Sequence, residues 1–279
     1  MDIIRTIPEM QAWALNAWRA GRRIGLVPTM GYLHAGHLSL VQVARVHAEV
    51  TVVSIYVNPT QFGPNEDLAA YPRDFERDEA LCRDAGVDVV FYPSDADMYA
   101  PDHSVWIVEE VLSKPLCGRS RPTHFRGVAT VVAKLFNAVL PTVAVFGQKD
   151  AQQALVIQRL ARDLNSPVRV IVAPTVREPD GLAMSSRNKY LSPDERQRAV
   201  AISKGLRRAA DLYAAGTRDV NRLRDTVTDG ITAAAGRVDY VEILSRDALA
   251  PVTTVDRPCL LAVAAFFGKT RLIDNGFLG

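Results

Sequence analysis

Cysteine is scarce in this chain. Its 279 residues hold three, Cys82, Cys117 and Cys259, far apart and without a CxxC pair. That pattern excludes a disulfide framework and a zinc knuckle and fits free thiols in a reducing cytosol. A surplus of one charge sign is missing too. The 33 Lys and Arg stand against 31 Asp and Glu, for a formal net charge of +2, and no basic run stands out. A nucleic-acid binder would cluster its cations on one face. Long hydrophobic runs are also absent: the longest, at 260–267, falls far short of the ~20 residues a spanning helix needs. The amino terminus opens without the basic flank and apolar core of a signal peptide. The expectation is a soluble cytoplasmic protein with neither nucleic acid nor membrane as partner. Several chemical signatures are missing as well. There is no HExxH zinc motif, no P-loop and no dinucleotide glycine turn. Nor is there a Ser–His–Asp order or a pair of glycosidase carboxylates.

What is present begins with an ordinary globular balance, 48% hydrophobic and 23% charged, in a length that suits two domains. Runs at 24–27, 50–57, 87–92, 143–146 and 168–172 are apolar at nearly every position, as in strands buried on both faces of a parallel sheet. Helical patterns lie between them at 37–48, 67–85, 128–139 and 151–164. Thr6 and Glu9 have the spacing of a capping box ahead of a further helix. This alternation predicts a doubly wound α/β sheet. The stretch 174–191, with Pro174, Pro179 and Asp180-Gly181, reads as loop, and the domain boundary is placed near Thr175. Ser192, Pro193 and Glu195 then announce a helix start. Helices at 193–215 and 219–235 followed by strands at 240–244 and 260–267 predict a smaller α+β domain. The expected division is 1–175 and 176–279.

Polar motifs follow the apolar runs. PTMGYLHAGH, at 28–37, comes directly after the first run and opens a helix. In an open α/β sheet ligands gather outside the carboxyl ends of the strands. Gly31 and Gly36 permit close backbone approach, and helix N-terminal N–H groups favour phosphate. His34 and His37 can share one side of the first turn and donate to phosphate oxygens. The plainer alternative is a pair of surface or core histidines, and a metal site would need ligands the sequence does not offer. NPTQF after the second run brings Asn58 and Gln61, whose amides suit hydroxyl or carboxylate recognition, although Asn-Pro alone marks only a turn. FGQKDAQQ at 146–153 supplies Lys149 as a point charge for phosphate, Asp150 as helix cap or site residue, and Gln153 aimed at the same crevice. Met184, Ser185, Ser186 and Arg187, in a mobile loop, suit clamping a triphosphate and steadying charge as pyrophosphate leaves; a solvated linker is the alternative. Arg121, His124 and Arg126 are either phosphate contacts or ordinary surface residues. Together the histidines, Lys149 and Arg187 point to nucleotidyl transfer driven by positioning and charge.

The set PTMGYLHAGH, NPTQF, DLAAYPRDFERD, RPTHFRGV, FGQKDAQQ and PTVREPDGLAMSSRNKYLS runs in this order across residues 28–192. It closely resembles the pantothenate synthetase (pantoate–β-alanine ligase) family; the HxGH element alone marks only the wider nucleotidyltransferase superfamily. The resemblance implies a Rossmann-type N-terminal domain, a smaller C-terminal lid domain and a homodimer. It implies pantothenate and coenzyme A biosynthesis by a two-step reaction: pantoate and Mg-ATP give pantoyl adenylate and pyrophosphate, and β-alanine then displaces AMP. By the resemblance, Met30, Gly31, His34 and His37 belong to the ATP site, with His37 the proton donor and both histidines on the phosphates. Gly147, Gln148, Lys149 and Asp150 form a second ATP segment. Val176 meets the adenine through its backbone, and Met184, Ser185, Ser186 and Arg187 close on the triphosphate. Gln61 and Gln153 hold pantoate, and Gln61 also meets β-alanine. Asn58, Tyr71 and Arg121 match further substrate positions, and the Mg²⁺ ligands are not named by the sequence. Gln148 stands where Glu is common, Gln152 where an aromatic residue is frequent, and Tyr32 and Ala35 at variable positions. Three rivals compete: an adenylyltransferase acting on a phosphate, a tRNA-charging module, and a nucleotide-binding regulator without turnover. The amides of NPTQF and Gln153 speak against the first, and the mild charge against the second.

Overall fold

The computed structural model describes residues 1–64 and 66–279. The chain divides into two units: Met1–Gln148 with Gln152–Pro174, and Lys149–Ala151 with Thr175–Gly279.

The first unit contains β1 (Asp2–Ile4), α1 (Ile7–Arg19), β2 (Ile24–Thr29), α2 (Ala35–His47), β3 (Val50–Ile55), α3 (Phe75–Asp84) and β4 (Val89–Phe91). The short turns α4 (Asp95–Met98) and α5 (Cys117–Ser120) follow, then α6 (His124–Val139), β5 (Val143–Gly147), α7 (Ala151–Asp163), whose first residue clusters with the second unit, and β6 (Arg169–Ala173). The strands form a six-stranded sheet in the order β1-β4-β3-β2-β5-β6, and every pair is parallel. Neighbouring residues of one strand enter opposite cores, as the period of two requires. Leu26, Val52 and Phe146 pack with α1, α6 and α7, while Val27, Val53 and Val145 pack with α2 and α3. That double burial is why these runs are apolar at most positions, with Thr51 and Ser54 of β3 as buried polar exceptions. After β2 the chain winds outward through β3 and β4, then returns to lay β5 on the other side of β2. The carboxyl ends of β2 and β5 therefore flank the topological switch point, where open α/β sheets bind ligands.

The second unit holds α8 (Pro193–Ala199), α9 (Ala201–Ala214), α10 (Val220–Ala233), β7 (Arg237–Ser245), β8 (Cys259–Phe267) and β9 (Thr270–Leu278). Its strands form an antiparallel sheet in the order β7-β8-β9. Leu206, Leu223, Val227 and Ile231 of the helices share a core with Leu261, Val263 and Phe267 of the strands. Ser192 and Glu195 form the expected capping box on α8.

Several elements differ from expectation. The helix expected over 67–85 forms only from Phe75. Pro72 disfavours helical backbone at the residue before it, and Asp74 caps the helix by accepting the Arg77 N–H. The helix expected over 193–215 breaks at Val200 into α8 and α9. Thr6 caps α1 through Glu9 N, but Glu9 answers to the Thr6 hydroxyl at 2.8 Å rather than its N–H. Neither β1 nor β9 was expected. Among the described residues, no helix is long and apolar enough to cross a membrane.

Candidate active site

The turn from β2 into α2 is built by its own histidines. His34 is the N-cap, and its Nδ1 accepts the Gly36 N–H at 3.1 Å. His37, three residues on, accepts the His34 N–H through Nδ1 at 3.3 Å. The two side chains thus form a reciprocal capping box in which imidazole replaces the usual hydroxyl and carboxylate. The rings lie 4.1 Å apart, tilted by 35°. A nitrogen that accepts must carry a lone pair, so each neutral ring holds its proton on Nε2. Both histidines therefore present an Nε2–H donor edge from one helical turn.

Several backbone N–H groups of this turn are engaged within the chain. The Gly36 N–H goes to His34 Nδ1, and those of His37 and Leu38 go to the His34 carbonyl at 2.8 and 3.1 Å. Tyr32 and Leu33 donate to the Asp78 carboxylate at 2.6 and 2.7 Å. Burial pushes the Asp78 carboxyl above its ordinary value, against the pull of those two N–H groups and of Arg77.

Beside this turn lies a buried amide cluster. Gln61 ends a 3₁₀ turn over Pro59–Gln61. Its Oε1 accepts from Asn58 Nδ2 at 3.0 Å and its Nε2 donates to Met30 Sδ at 3.2 Å. Asn58 is 1% exposed. Its second Nδ2 hydrogen goes to the Gly127 carbonyl, and its Oδ1 accepts from the Thr60 and Tyr99 hydroxyls, both at 2.9 Å. Both amide hydrogens and the carbonyl of Asn58 are thus engaged within the chain, one of them on Gln61. Gly127 shows why α6 carries glycine there: a Cβ would stand 2.5 Å from the Thr60 carbonyl oxygen and 2.7 Å from Gln61 N.

Arg121 and His124 also converge on Gln61. The Arg121 guanidinium pairs with both oxygens of Glu66 at 2.6 and 2.5 Å and donates to the Gln61 carbonyl at 3.3 Å. His124 Nδ1 meets the same carbonyl at 2.9 Å, while its Nε2 faces Arg121 Nη1 at 3.2 Å. Only the tautomer with hydrogen on Nδ1 satisfies both contacts. Burial alone would raise Glu66, yet the hydrogen bond and charge of Arg121 leave it below its ordinary value. Tyr71 is buried, edge-on to Phe62 with ring centres 5.9 Å apart.

At the carboxyl end of β5, Gly147 leads into a 3₁₀ turn over Gln148–Asp150. Apart from its own chain neighbours, no atom of the described residues lies within 4 Å of where a Gly147 Cβ would stand, so their packing does not demand glycine there. Gln153 sits half-buried in the first turn of α7. Its neighbour Gln152 accepts from Cys117 N at 3.1 Å and donates to the carbonyls of Leu112 and Pro115 at 2.8 and 2.7 Å. The departure at Gln152 is therefore structural: an amide ties down the 112–117 loop.

In the second unit, Asn275 of β9 donates to the Lys149 carbonyl at 3.1 Å, and Lys149 Nζ stands 3.9 Å from Asp150. The segment carrying Val176, Met184, Ser185, Ser186 and Arg187 is folded back on itself. The Met184 N–H bonds to the Val176 carbonyl at 3.0 Å, and Arg177 bridges to Ala183. Ser185 caps a 3₁₀ turn over Ser186–Tyr190 by accepting the Arg187 N–H. Arg177 pairs with buried Asp274, Arg196 with Glu178 and Asp180, and Asn188 with Glu178. Within its unit the segment is thus anchored at Arg177, Glu178, Asp180 and Asn188.

Arg77, Asp78, Gly127 and Asn275 were not among the expected site residues. Asp78 and Gly127 lie inside the quoted motifs, but their partners are far away in sequence, so spacing offered no signal. Among the described residues, no group of three or more His, Cys, Asp or Glu comes together to hold a metal ion.

Comparison with known proteins places the whole chain beside one family. A family model described as Pantoate-beta-alanine ligase matches residues 2–277. A pantothenate synthetase of Thermotoga neapolitana is 55% identical over the whole of both chains. A crystal structure of the Thermus thermophilus pantothenate synthetase superposes with a TM-score of 0.94 at 44% identity, covering 99% of both chains. The Francisella tularensis pantoate-beta-alanine ligase, solved in complex with β-γ ATP and β-alanine, superposes at 0.82 with 34% identity, over 99% of this chain and 97% of that one.

Proposed function

We propose, for a chain that belongs to the pantoate–β-alanine ligase family, that it condenses pantoate with β-alanine in the cytoplasm at the expense of ATP, as a step of pantothenate biosynthesis. In the first step a pantoate carboxylate oxygen attacks the α-phosphorus of ATP. The acyl–phosphate bond forms, the α–β bridging bond breaks, and pyrophosphate departs with the electron pair. In the second step the β-alanine amine attacks the acyl carbon, a C–N bond forms, the C–O bond to the phosphate breaks, and AMP leaves as one proton is released from nitrogen. Mg²⁺ enters with ATP as part of the substrate.

The observation that carries this reading is the imidazole capping box at the switch point of the sheet. It aims two Nε2–H donors from one turn, a fixed arrangement for charge that develops on phosphate oxygens. His37 is assigned as proton donor, and His34 with Lys149, Ser185, Ser186 and Arg187 as the groups that steady the triphosphate. Met30, Gly31, Gly147, Gln148 and Asp150 contact ATP, and Val176 and Met184 flank the nucleotide. Gln61 and Gln153 hold pantoate, with Gln61 also meeting β-alanine. Tyr71 borders that site, and Asn58 and Arg121 serve it by fixing Gln61. Two copies of the chain form the working molecule, a homodimer.

ATP–pyrophosphate isotope exchange, run with pantoate and Mg²⁺ but no β-alanine, tests the first step. Exchange that requires pantoate is the expected result. Its absence, together with no AMP release on adding β-alanine, would refute the activity while leaving the fold untouched.

A further inference from the structure

We propose that Arg77 and Asp78, at the start of α3, form a clamp that positions the histidine turn for adenylate formation. The proposal rests on the reading above, in which His34 and His37 act on ATP.

Four contacts from two adjacent side chains land on the two residues immediately before the N-cap. Asp78 Oδ2 accepts the Tyr32 N–H at 2.6 Å and Oδ1 the Leu33 N–H at 2.7 Å. Arg77 Nη2 donates to the Leu33 carbonyl at 2.9 Å, and its guanidinium lies 5.0 Å from the Tyr32 ring centre. Arg77 and Asp78 also face each other at 3.4 Å. The turn needs such a hold. Tyr32 sits at φ 49°, in the left-handed region that a side chain disfavours, and Gly31 precedes it at φ 80°. A Cβ on Gly31 would stand 3.0 Å from Asp78 Oδ2, so glycine lets the carboxylate come close.

Asp78 is only 1% exposed. A buried carboxylate beside a turn that handles phosphate would be a poor ligand for phosphate, being of the same charge. As an anchor it is well suited, because one carboxylate can accept two N–H groups and such charge-assisted bonds are short and strong. The helix bearing the clamp is itself fixed to α2 at its far end. Arg45 donates to the carbonyls of Ala85 and Gly86 at 2.7 and 3.0 Å, and a Cβ on Gly86 would collide with that guanidinium. With α3 held to α2 at both ends, where Asp78 sits decides where His34 sits. Through the capping box it also decides where His37 points. Both are thus positioning residues that act through the histidines.

The test uses the full-length enzyme and two variants, Asp78→Asn and Arg77→Lys. The carboxamide of Asp78→Asn keeps one acceptor and turns an N–H donor toward the other backbone N–H. Pantoate-dependent ATP–pyrophosphate exchange per folded molecule is expected to fall by about 10–100-fold, since misplacement by about an ångström costs on that order. KM for pantoate should stay within about twofold, because the amide cluster at Gln61 is not part of the clamp. Nitrogen NMR of the imidazoles supplies a readout independent of turnover: wild type should show both rings as the Nε2–H form, and Asp78→Asn should lose that fixed pattern. If Asp78→Asn does not fold, Arg77→Lys, at a half-exposed position, decides by the same two readouts. A folded variant with unchanged exchange rate and unchanged imidazole spectra overturns the clamp, whatever its Tm. If wild type shows no exchange but Asp78→Asn still loses the imidazole pattern, the functional reading fails and the positioning stands.

Discussion

At the residue scale, the two histidines have a structural duty and a chemical one, and the two can be separated. His34 caps α2 through Nδ1, and replacing a cap by Ala costs about 1 kcal/mol. His34→Ala therefore confounds lost stability with lost chemistry. Asn is among the best N-caps but has no donor at the reach of Nε2. His34→Asn is expected to keep its Tm close to wild type and lose about 10²–10³-fold in adenylate formation, the range for removing one positioned donor to developing charge. A near-normal rate would confine His34 to capping. Gly147 offers the converse experiment. Nothing among the described residues beyond its chain neighbours crowds a Cβ there, and its φ is not among the positive values, so Gly147→Ala should fold with unchanged stability. If ATP lies against that bare backbone, KM for ATP rises several-fold while KM for pantoate holds. An unchanged ATP affinity would move the nucleotide away from the end of β5.

At the scale of elements, the pairing of Glu66 with Arg121 couples the loop after the Pro59–Gln61 turn to the segment that precedes α6. The folded Glu66 carboxyl lies below its ordinary 4.5, so the pair's stabilisation is fully present above that value. It is lost only as pH falls through the lower, folded one. The difference in unfolding free energy between wild type and Glu66→Gln should be flat from about pH 8 to about pH 5.5 and shrink only in stronger acid. A difference that vanishes near neutrality would show that the pair does not hold this loop. The same elements mark what a sequence discloses. The inner strands were legible because burial on both faces favours apolar residues at nearly every position. In β9, Arg271, Asp274 and Asn275 break the apolar pattern, since they face an Asp239 pair, an Arg177 pair and the Lys149 carbonyl. Those partners lie 32 to 126 residues away, beyond any local pattern. The start of α3 was misplaced because charged residues extended a helical pattern through Pro72. The histidine motif, NPTQF and FGQKD were legible as chemistry because each follows a buried strand. The clamp on Tyr32, the glycine at 127 under Gln61, and the full engagement of Asn58 depend on distances between segments, and those only the folded chain supplies.

For the whole molecule, the proposed homodimer needs a surface that two copies can bury between them. Val105, Val108 and Val111, 75%, 54% and 54% exposed, put three large apolar side chains at the surface within seven residues of chain. Burying apolar surface yields about 25 cal/mol per Å², and in a two-fold dimer a patch lying near the axis is buried from both copies at once. The net charge of +2 sets little repulsion against such a contact. These features support the proposed homodimer, with residues 105–111 at its interface. Sedimentation equilibrium at micromolar concentration is then expected to give twice the 30.6 kDa of one chain. In a two-fold interface a single substitution appears on both sides. Val108→Lys should therefore drive the mass toward that of one chain, yet a change at an exposed position alters folding stability by no more than about 0.5 kcal/mol. A wild type that sediments as a single chain would refute the dimer. A Val108→Lys variant that stays dimeric would move the interface off this segment, and its rate of pantoate-dependent exchange would then show whether the valines matter to catalysis at all.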